Sequence, residues 1–201
     1  GAIVIVDFYR EIIEDYSAIP RYLQQQYELD HGKDHGRIWR LVHEDMPEAP
    51  NPDMGKLGAG VLARETGSPY LWRRETARRL LVEKATLSPD AIGILEKMAT
   101  NSSGNRETVT NALHTLSGLG RISPSPLLAA LNHVDFGVRV HALRHSEPWL
   151  DRSPKVLDKV VSMTGDTNAL VLLQLALTLG ESRSGQARKA LALLEKEHGG
   201  I

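Results

Sequence analysis

Helix-start signals recur through residues 54–201 and dominate what this chain can fold into. Serine at the N-cap followed by proline at the first helical position favours a helix start, because the missing N–H of proline has no partner there. Such pairs occur at Ser68-Pro69, Ser88-Pro89, Ser123-Pro124, Ser125-Pro126 and Ser153-Pro154. Glycines, which favour helix ends, follow at positions 67, 104, 120, 165, 180 and 199. The segment therefore reads as a succession of short helices.

An alanine recurs in a similar apolar setting inside every second predicted helix. Ala77, Ala112, Ala142 and Ala176 are separated by 35, 30 and 34 residues, and these intervals are typical of helix-pair repeats. A small residue on the inner face allows the paired helices to approach closely. The intervals predict a mostly α fold, an α-α superhelix in which about four antiparallel helix pairs stack with a right-handed sense.

The first helix of each pair carries its own apolar stripe, as a helix packed on one face does. The stripes are Leu57/Val61/Leu62, Ala91/Ile94/Leu95/Met98, Leu127/Leu128/Leu131 and Val156/Leu157/Val160/Val161. A last stripe, Ala187/Ala190/Leu191/Leu194, predicts the first helix of an incomplete fifth pair.

Residues 1–45 follow a different pattern. Ala2 to Phe8 is apolar on both alternating faces, which predicts a strand buried on both sides, and Arg37 to Val42 is a second strand candidate. Between them, Arg10 to Tyr27 favours helix, with a break at Pro20. Three prolines within residues 46–53 predict a linker. We expect a small segment of two strands and a helix, then the linker, then the helical repeats from residue 54.

Composition separates the same two parts and narrows the function classes. Residues 1–50 hold five Lys/Arg against ten Asp/Glu, and residues 51–201 hold nineteen against fifteen.

The absence of cysteine excludes disulfides, thiolate zinc sites and cysteine nucleophiles. No stretch approaches the roughly 18 apolar residues of a membrane span, so we expect no membrane insertion. Because Gly1 leads directly into an apolar run, we expect the chain to be a fragment of a longer protein.

One predicted helix resembles a known repeat family. Val138-Arg139-Val140-His141-Ala142-Leu143, preceded by Asp135, resembles the second helix of a HEAT repeat, in which a valine-arginine pair precedes alanine-leucine by one turn. Arg73-Arg74 stands in place of that pair in the first repeat, and the second and fourth repeats lack the arginine. The resemblance implies a HEAT-like solenoid.

A longer resemblance covers essentially the whole chain. VDFYREII at 6–13, Ile19-Pro20, DHGRIWRL at 34–41 and WRRETARRLL at 72–81 occur in this order. The order resembles the middle of bacterial multi-module proteins called membrane-bound dehydrogenases, in which a β-propeller precedes HEAT repeats and a haem-binding cytochrome c module often follows. The resemblance implies that residues 1–45 end the propeller, that this segment holds no cofactor, and that the protein lies in the periplasm or cell envelope.

The predicted second helices offer a candidate interaction surface. Arginine binds carboxylate or phosphate through its planar fork, and the basic helix around 73–79 is followed by polar residues at matching positions later. The surface comprises Arg74, Arg78, Arg79, His114, His141 and Arg144. A nucleic-acid site would need a continuous basic track, whereas the position two residues after each alanine holds Arg79, His114, Arg144 and Thr178. We therefore favour salt bridges and a protein partner or adjacent modules of the same chain.

Metal binding by histidine pairs and catalysis by a carboxylate pair are two further hypotheses. His31 with His35, and His141 with His145, have i,i+4 spacing that suits metal ligands on a helix, but glycines make the first pair a turn and a structural role is favoured for the second. A carboxylate pair, Glu11 and Glu14, lies beside Asp7 and Arg10, yet no nucleophile or oxyanion donor accompanies it. We assign no catalytic, cofactor or metal residue.

The sequence thus favours a non-catalytic HEAT-repeat scaffold or interaction spacer within a larger membrane-bound dehydrogenase. Two alternatives stay open: a structural part of a working propeller and cytochrome c oxidoreductase, in which the segment sets the distance between redox modules, and a nucleic-acid-binding HEAT-like module.

Overall fold

The computed structural model is mostly helical, as predicted, with one small sheet near the N-terminus. The chain divides into two units, Gly1–Asn51 and Pro52–Ile201. The division falls within the predicted linker, of which residues 46–52 lie outside the described residues. The described residues are 3–9, 18–27, 31–32, 34–45, 53–84 and 88–199.

Among its described residues, the first unit has a two-stranded antiparallel ribbon and one α-helix. Strand β1 spans Ile3–Asp7 and strand β2 spans Arg37–Leu41, and Ile5 lies opposite Trp39. Helix α1, Arg21–Gln26, begins directly after Pro20. The two predicted strands are confirmed, and α1 begins after Pro20 as predicted, whereas residues 10–17 of the predicted helix lie outside the described residues.

The prediction that β1 is buried on both sides is wrong for this chain. Its apolar side chains are exposed on both faces of the ribbon, between 48% at Ile5 and 63% at Ile3. Two strands supply no second layer to cover either face. The alternating apolar pattern is therefore present without the packing that it predicted.

The second unit consists of helices arranged in two rows. The first row is α2 (Ala59–Glu65), α4 (Pro89–Ala99), α6 (Pro124–Ala130), α8 (Pro154–Val161) and α10 (Gly185–His198). The second row is α3 (Leu71–Glu83), α5 (Arg106–Gly118), α7 (Phe136–Ser146) and α9 (Ala169–Gly180). Each helix packs against its neighbours in its own row and against its sequential partner in the other row. Three short 3-10 turns, Met54–Lys56, Glu147–Trp149 and Ser162–Gly165, complete the unit.

Most helices of the two rows begin in different ways. The exceptions are α10, whose N-cap Ser184 accepts a bond from the Ala187 N–H, and α3, whose N-cap Tyr70 makes no side-chain capping bond. In the first row, Ser88, Ser123 and Ser153 are the N-caps and proline follows each, as predicted, but none of these serine side chains accepts a capping bond. In the second row the N-cap side chain does accept backbone N–H bonds, at Asn105, Asp135 and Asn168.

Two of the predicted starts are wrong. Ser125-Pro126 lies inside α6, and the N-cap of α3 is Tyr70, not Ser68. Among the predicted stops, Gly120 ends α5 in the left-handed conformation with φ of 64°. Its N–H donates to the Ser117 carbonyl at 2.9 Å and that of Arg121 to the Leu116 carbonyl at 2.8 Å, which is a Schellman ending.

The second-row N-caps give the true register of the repeat. Tyr70, Asn105, Asp135 and Asn168 are separated by 35, 30 and 33 residues. Seven residues after each cap lies a fully buried side chain, which is Ala77, Ala112, Ala142 and Leu175. The predicted alanine of the fourth pair is therefore wrong by one position: Leu175 fills it, and Ala176 is only partly buried.

The apolar stripes of the first row are buried largely as predicted. Leu62, Leu95, Leu127 and Val156 are almost fully inaccessible, and Ala187, Ala190 and Leu194 of α10 join the same core. Val61 departs from its stripe and is exposed.

Arg139 explains why a valine-arginine pair starts α7. Its side chain donates two bonds to Asp166, Nε to Oδ2 at 2.8 Å and Nη2 to Oδ1 at 3.0 Å, and Nη1 donates to the carbonyls of His133 and Val134. Burial acts to raise the pKa of Asp166, but the bonds from Arg139 and from the Asn168 N–H outweigh it and lower that pKa. One arginine thus joins α7 to the loop before α9.

Ala142→Leu should destabilise the second unit. Ala142 is fully buried between helices, and extra methyl groups in a packed interface cost about 1–3 kcal/mol. Denaturant unfolding measures the loss. Ala192→Leu, at an exposed position of α10, is the matched control, and an equal effect of the two substitutions would show that the buried face of α7 is assigned wrongly.

Arg139→Ala should cost more than Arg79→Ala. The Arg139–Asp166 side chains are only 16% and 12% exposed, whereas the Arg79–Glu83 pair is 60% and 54% exposed. Breaking a buried pair leaves an uncompensated charge and costs about 3 kcal/mol, while an exposed i,i+4 pair contributes about 0.5 kcal/mol. The free energy of unfolding of each variant tests the contrast, and comparable losses would contradict it.

Candidate functional site

Three histidines of α5 and α7 form a hydrogen-bonded chain. His145 Nε2 lies 3.1 Å from His114 Nδ1, and His114 Nε2 lies 3.3 Å from His141 Nδ1. The His114 ring meets both neighbours edge to face, with centroids 4.6 Å from His145 and 4.9 Å from His141. All three side chains are partly buried. His114 is the central member of the cluster.

The repeat places these rings together. His114 lies nine residues after the cap of α5, and His141 and His145 lie six and ten residues after the cap of α7. Residues six and ten share one helix face, and this face of α7 packs against α5. The i,i+4 pair His141 and His145 is visible in the sequence, but the contribution of His114 needs the register of the two caps.

The environment of the chain favours neutral imidazoles. Burial, followed by the nearby His114, His141 and Arg144, lowers the pKa of His145 to about 4. Burial also lowers the pKa of His114, with His141, Arg78 and Arg144 acting in the same direction and Glu75 against it.

The pKa of His141 is lowered as well. Burial is the main cause that lowers its pKa, and Arg106 and Arg144 add to it. With all three rings neutral, each N···N contact has one donor and one acceptor, so the bonds run in one direction along the chain. Two protonated rings would place donor against donor at one contact.

The three rings form a chain and do not converge on a metal position. The two contacts use opposite nitrogens of His114, whereas a chelate needs one nitrogen from each ring directed at a common point. Within the described residues, no group of three metal-ligating side chains has the geometry to hold an ion. His31 lies in a turn, and the His35 ring packs against Tyr9 with centroids 5.5 Å apart.

The arginines of the predicted surface are engaged in pairs. Arg78 forms a salt bridge with Glu75 and Arg79 with Glu83, as the preference for salt bridges predicted. Arg74 donates to the carbonyls of Ser68 and Pro69, so its Nη1 acts as a structural donor at the start of α3.

Only some residues of the predicted interaction surface lie together. Arg78, Arg79 and His114 line one open depression of about 500 Å³ with Glu75, Thr76 and Val82. His141 joins it through His114, and Arg144 is exposed on α7. The fourth repeat places Leu177, not Thr178, nine residues after its cap. Leu177 is 60% exposed and Thr178 is fully buried.

Asp7 has a structural setting in the first unit. The Trp39 indole N–H donates to its Oδ2 at 3.0 Å and the Tyr9 backbone N–H to its Oδ1 at 2.9 Å, and these bonds lower the pKa of Asp7. Arg37 lies 4.7 Å from the Tyr9 ring centroid and 5.5 Å from that of Trp39. Arg10, Glu11 and Glu14, the other members of the carboxylate hypothesis, lie outside the described residues.

Comparison with known proteins finds a family match over part of the chain. Residues 1–45 match the family described as a domain of unknown function (DUF7133). No curated protein and no solved structure matches the chain. In the described part of the chain, no helix has the length and apolar character required to cross a bilayer.

The histidine chain predicts a loss of stability in acid. Unfolded histidine takes up a proton near pH 6.5, while His145 in the folded chain does so only near pH 4. Between these values the unfolded state binds more protons, so the free energy of unfolding falls as pH decreases, by about 1.4 kcal/mol per pH unit for each proton. His145 is partly exposed, and solvent screening reduces this slope.

Denaturant titrations at pH 7, 6 and 5 measure the effect. His145→Gln should lose less stability across this range than the unsubstituted protein, and His198→Gln at the exposed end of α10 is the control. Parallel losses in all three proteins would assign the acid sensitivity to groups outside the chain of histidines.

Proposed function

We propose that residues 54–201 form a HEAT-like α-α superhelix that serves as a non-catalytic scaffold and protein-interaction spacer. The observation that carries the proposal is the two-row packing, in which the described helices pack mainly against neighbouring members of their own row and of the facing row. The recurrent capped starts of α5, α7 and α9 and the Val138-Arg139 pair at the start of α7 support the HEAT-like assignment. Such a stack offers a long surface without needing a pocket.

The proposal extends to the protein of which this chain is a segment. The order of motifs in residues 6–81 resembles membrane-bound dehydrogenases, and the domain of unknown function over residues 1–45 occupies the segment that the resemblance assigns to the end of a propeller. On this proposal the superhelix spaces modules in the periplasm or cell envelope and binds no cofactor itself.

The reading frame of the gene tests the assignment to a larger protein. Propeller blades encoded upstream and a Cys-x-x-Cys-His haem motif downstream are the expected result, and their presence would favour a spacer between redox modules. A frame that ends near Ile201 without either module would contradict the assignment, while leaving the scaffold role of the helices to be judged by binding.

Nucleic-acid binding is the competing use of the same face. Because Arg78 and Arg79 are already paired with carboxylates, we expect no retention of the chain on immobilised duplex DNA at about 0.1 M salt, where screened contacts with few phosphates are weak. The triple substitution of Arg74, Arg78 and Arg79 by Glu should change nothing. Salt-dependent retention that this triple variant abolishes would overturn the protein-interaction assignment.

A further inference from the structure

Arg74 of α3 and Arg139 of α7 occupy the same place in the repeat. Each lies four residues after the N-cap of its helix, which is Tyr70 in α3 and Asp135 in α7. In both helices, Nη1 of the arginine donates to the carbonyls of the two residues before the cap. These residues are Ser68 and Pro69 for Arg74, and His133 and Val134 for Arg139. The start of α7 is therefore a direct comparison for the start of α3.

The two arginines differ at the other edge of the guanidinium. Nε and Nη2 of Arg139 donate to the carboxylate of Asp166, whereas Nε of Arg74 is buried without a hydrogen-bond partner in the described part of the chain. Asp166 lies two residues before the next second-row cap, Asn168. The matching residue ahead of α5 is Ser103, which has no carboxylate. A buried donor without a partner is costly, and more so when its group is charged.

A side chain two residues before a second-row cap reaches back to the preceding second-row helix. Asp166 does so toward Arg139, and His133, two residues before the cap of α7, does so toward the start of α5. His133 Nδ1 accepts a backbone N–H, so its Nε2 is the donor to the Gly104 carbonyl, 3.1 Å away. We therefore expect a longer side chain at position 103 to extend toward the unpartnered guanidinium of α3.

The boundary between the first helix pair, α2 and α3, and the second pair, α4 and α5, lacks directed polar contacts. As far as the structure describes them, residues 53–84 and 88–199 share no hydrogen bond or salt bridge. The next boundary carries the histidine chain, and the one after it the Arg139 ion pair. Small and apolar groups meet at the first boundary, where a Cβ atom added to Gly118 would lie 3.0 Å from Val82 Cγ2. Such contact fixes the register less than a satisfied polar network does.

We propose that the first helix pair opens away from the second more readily than the later pairs open from one another, because Arg74 lacks a carboxylate partner. Local opening at less cost than global unfolding is usual where few contacts hold one part of a protein. The open depression of about 500 Å³ lies at this boundary, with Arg78 on the α3 side and His114 on the α5 side. Opening widens this depression, so the boundary is a conformational joint in the second unit. The proposal depends on the packing of the described helices and not on the modules that flank the chain.

Hydrogen exchange of the full chain, followed by mass spectrometry at pH 7, measures the local opening of each helix. Peptides from α3 should exchange faster than peptides from α7. Ser103→Asp supplies a carboxylate at the position that matches Asp166. It should slow exchange in α3 at least about fivefold and leave α7 unchanged, since a hydrogen bond to a charged group stabilises a fold more than a neutral one.

Ser102→Asp is the matched control. It adds the same charge to the same exposed loop one residue earlier, and as an unpaired surface charge it should change exchange in α3 by less than about twofold. A double-mutant cycle with Arg74→Met isolates the new pair, because in that background Ser103→Asp should no longer slow exchange.

Asp166→Ser makes the reverse change between the third and fourth pairs and does not require Arg74 to be altered. It leaves Nε of Arg139 without its carboxylate, which is the condition of Arg74 in the unsubstituted chain. Exchange in α9 should become at least about fivefold faster, and exchange in α3 should stay the same.

Four results would overturn the proposal. They are exchange in α3 that is no faster than in α7, equal effects of Ser103→Asp and Ser102→Asp, a slowing by Ser103→Asp that persists with Arg74→Met, and an unchanged rate in α9 after Asp166→Ser. The first would mean that apolar packing holds the first boundary as firmly as polar contacts hold the second. The second and third would mean that a charge in the loop acts without Arg74, and the fourth that the arginine pair does not control opening.

Discussion

Lateral packing along the rows is the interaction on which the helical unit depends. A pair such as α6 and α7 is short, seven and eleven residues, and isolated helices of this length are marginal in water. Packing against the neighbouring pairs therefore contributes much of the stability of such a pair. Ala77, Ala112 and Ala142 are fully buried, so helices can approach closely in the first three pairs, whereas Leu175 fills the matching position of the fourth.

Polar groups at the same contacts make the packing of neighbouring pairs more specific than apolar contacts alone would. Arg139 bridges from α7 to Asp166 ahead of α9, and the histidine chain joins α5 to α7. Both lie at the boundaries between successive pairs. A buried polar group has a high cost when it loses its partner, so these contacts penalise a shifted stacking register in a way that leucines alone do not. The Nε atom of Arg74 is an exception, because it is buried without a hydrogen-bond partner among the described residues.

The sequence predicts the elements of this fold better than it predicts their contacts. Local signals sufficed for the strands around Ile5 and Trp39 and for the Ser-Pro starts of α4, α6 and α8, because caps and strand alternation are local effects. The choice of Ala176 was wrong because the loops differ in length, and only the N-cap Asn168 reveals that Leu175 is the buried residue.

The candidate site shows the same limit. His141 and His145 are four residues apart and could be paired from the sequence, whereas His114 joins them from 27 and 31 residues away. Such spacing carries no signal until the register of the repeat is known. In the first unit the sequence predicts more packing than the structure shows. The apolar alternation of β1 predicted burial, which two strands alone cannot provide.

The register set by the N-caps also identifies the side chains that share one position in the second-row helices. Nine residues after each second-row cap the side chains are Arg79, His114, Arg144 and Leu177. The first of these arginines is neutralised by Glu83, the histidine is held neutral by its surroundings, and the last position is an exposed leucine. A polyanion needs cationic groups at regular intervals along its path. Among the four positions only Arg144 presents an exposed arginine outside the salt bridges described above, and the row ends in an apolar side chain. Contact of Leu177 with another apolar protein surface would remove this leucine from water.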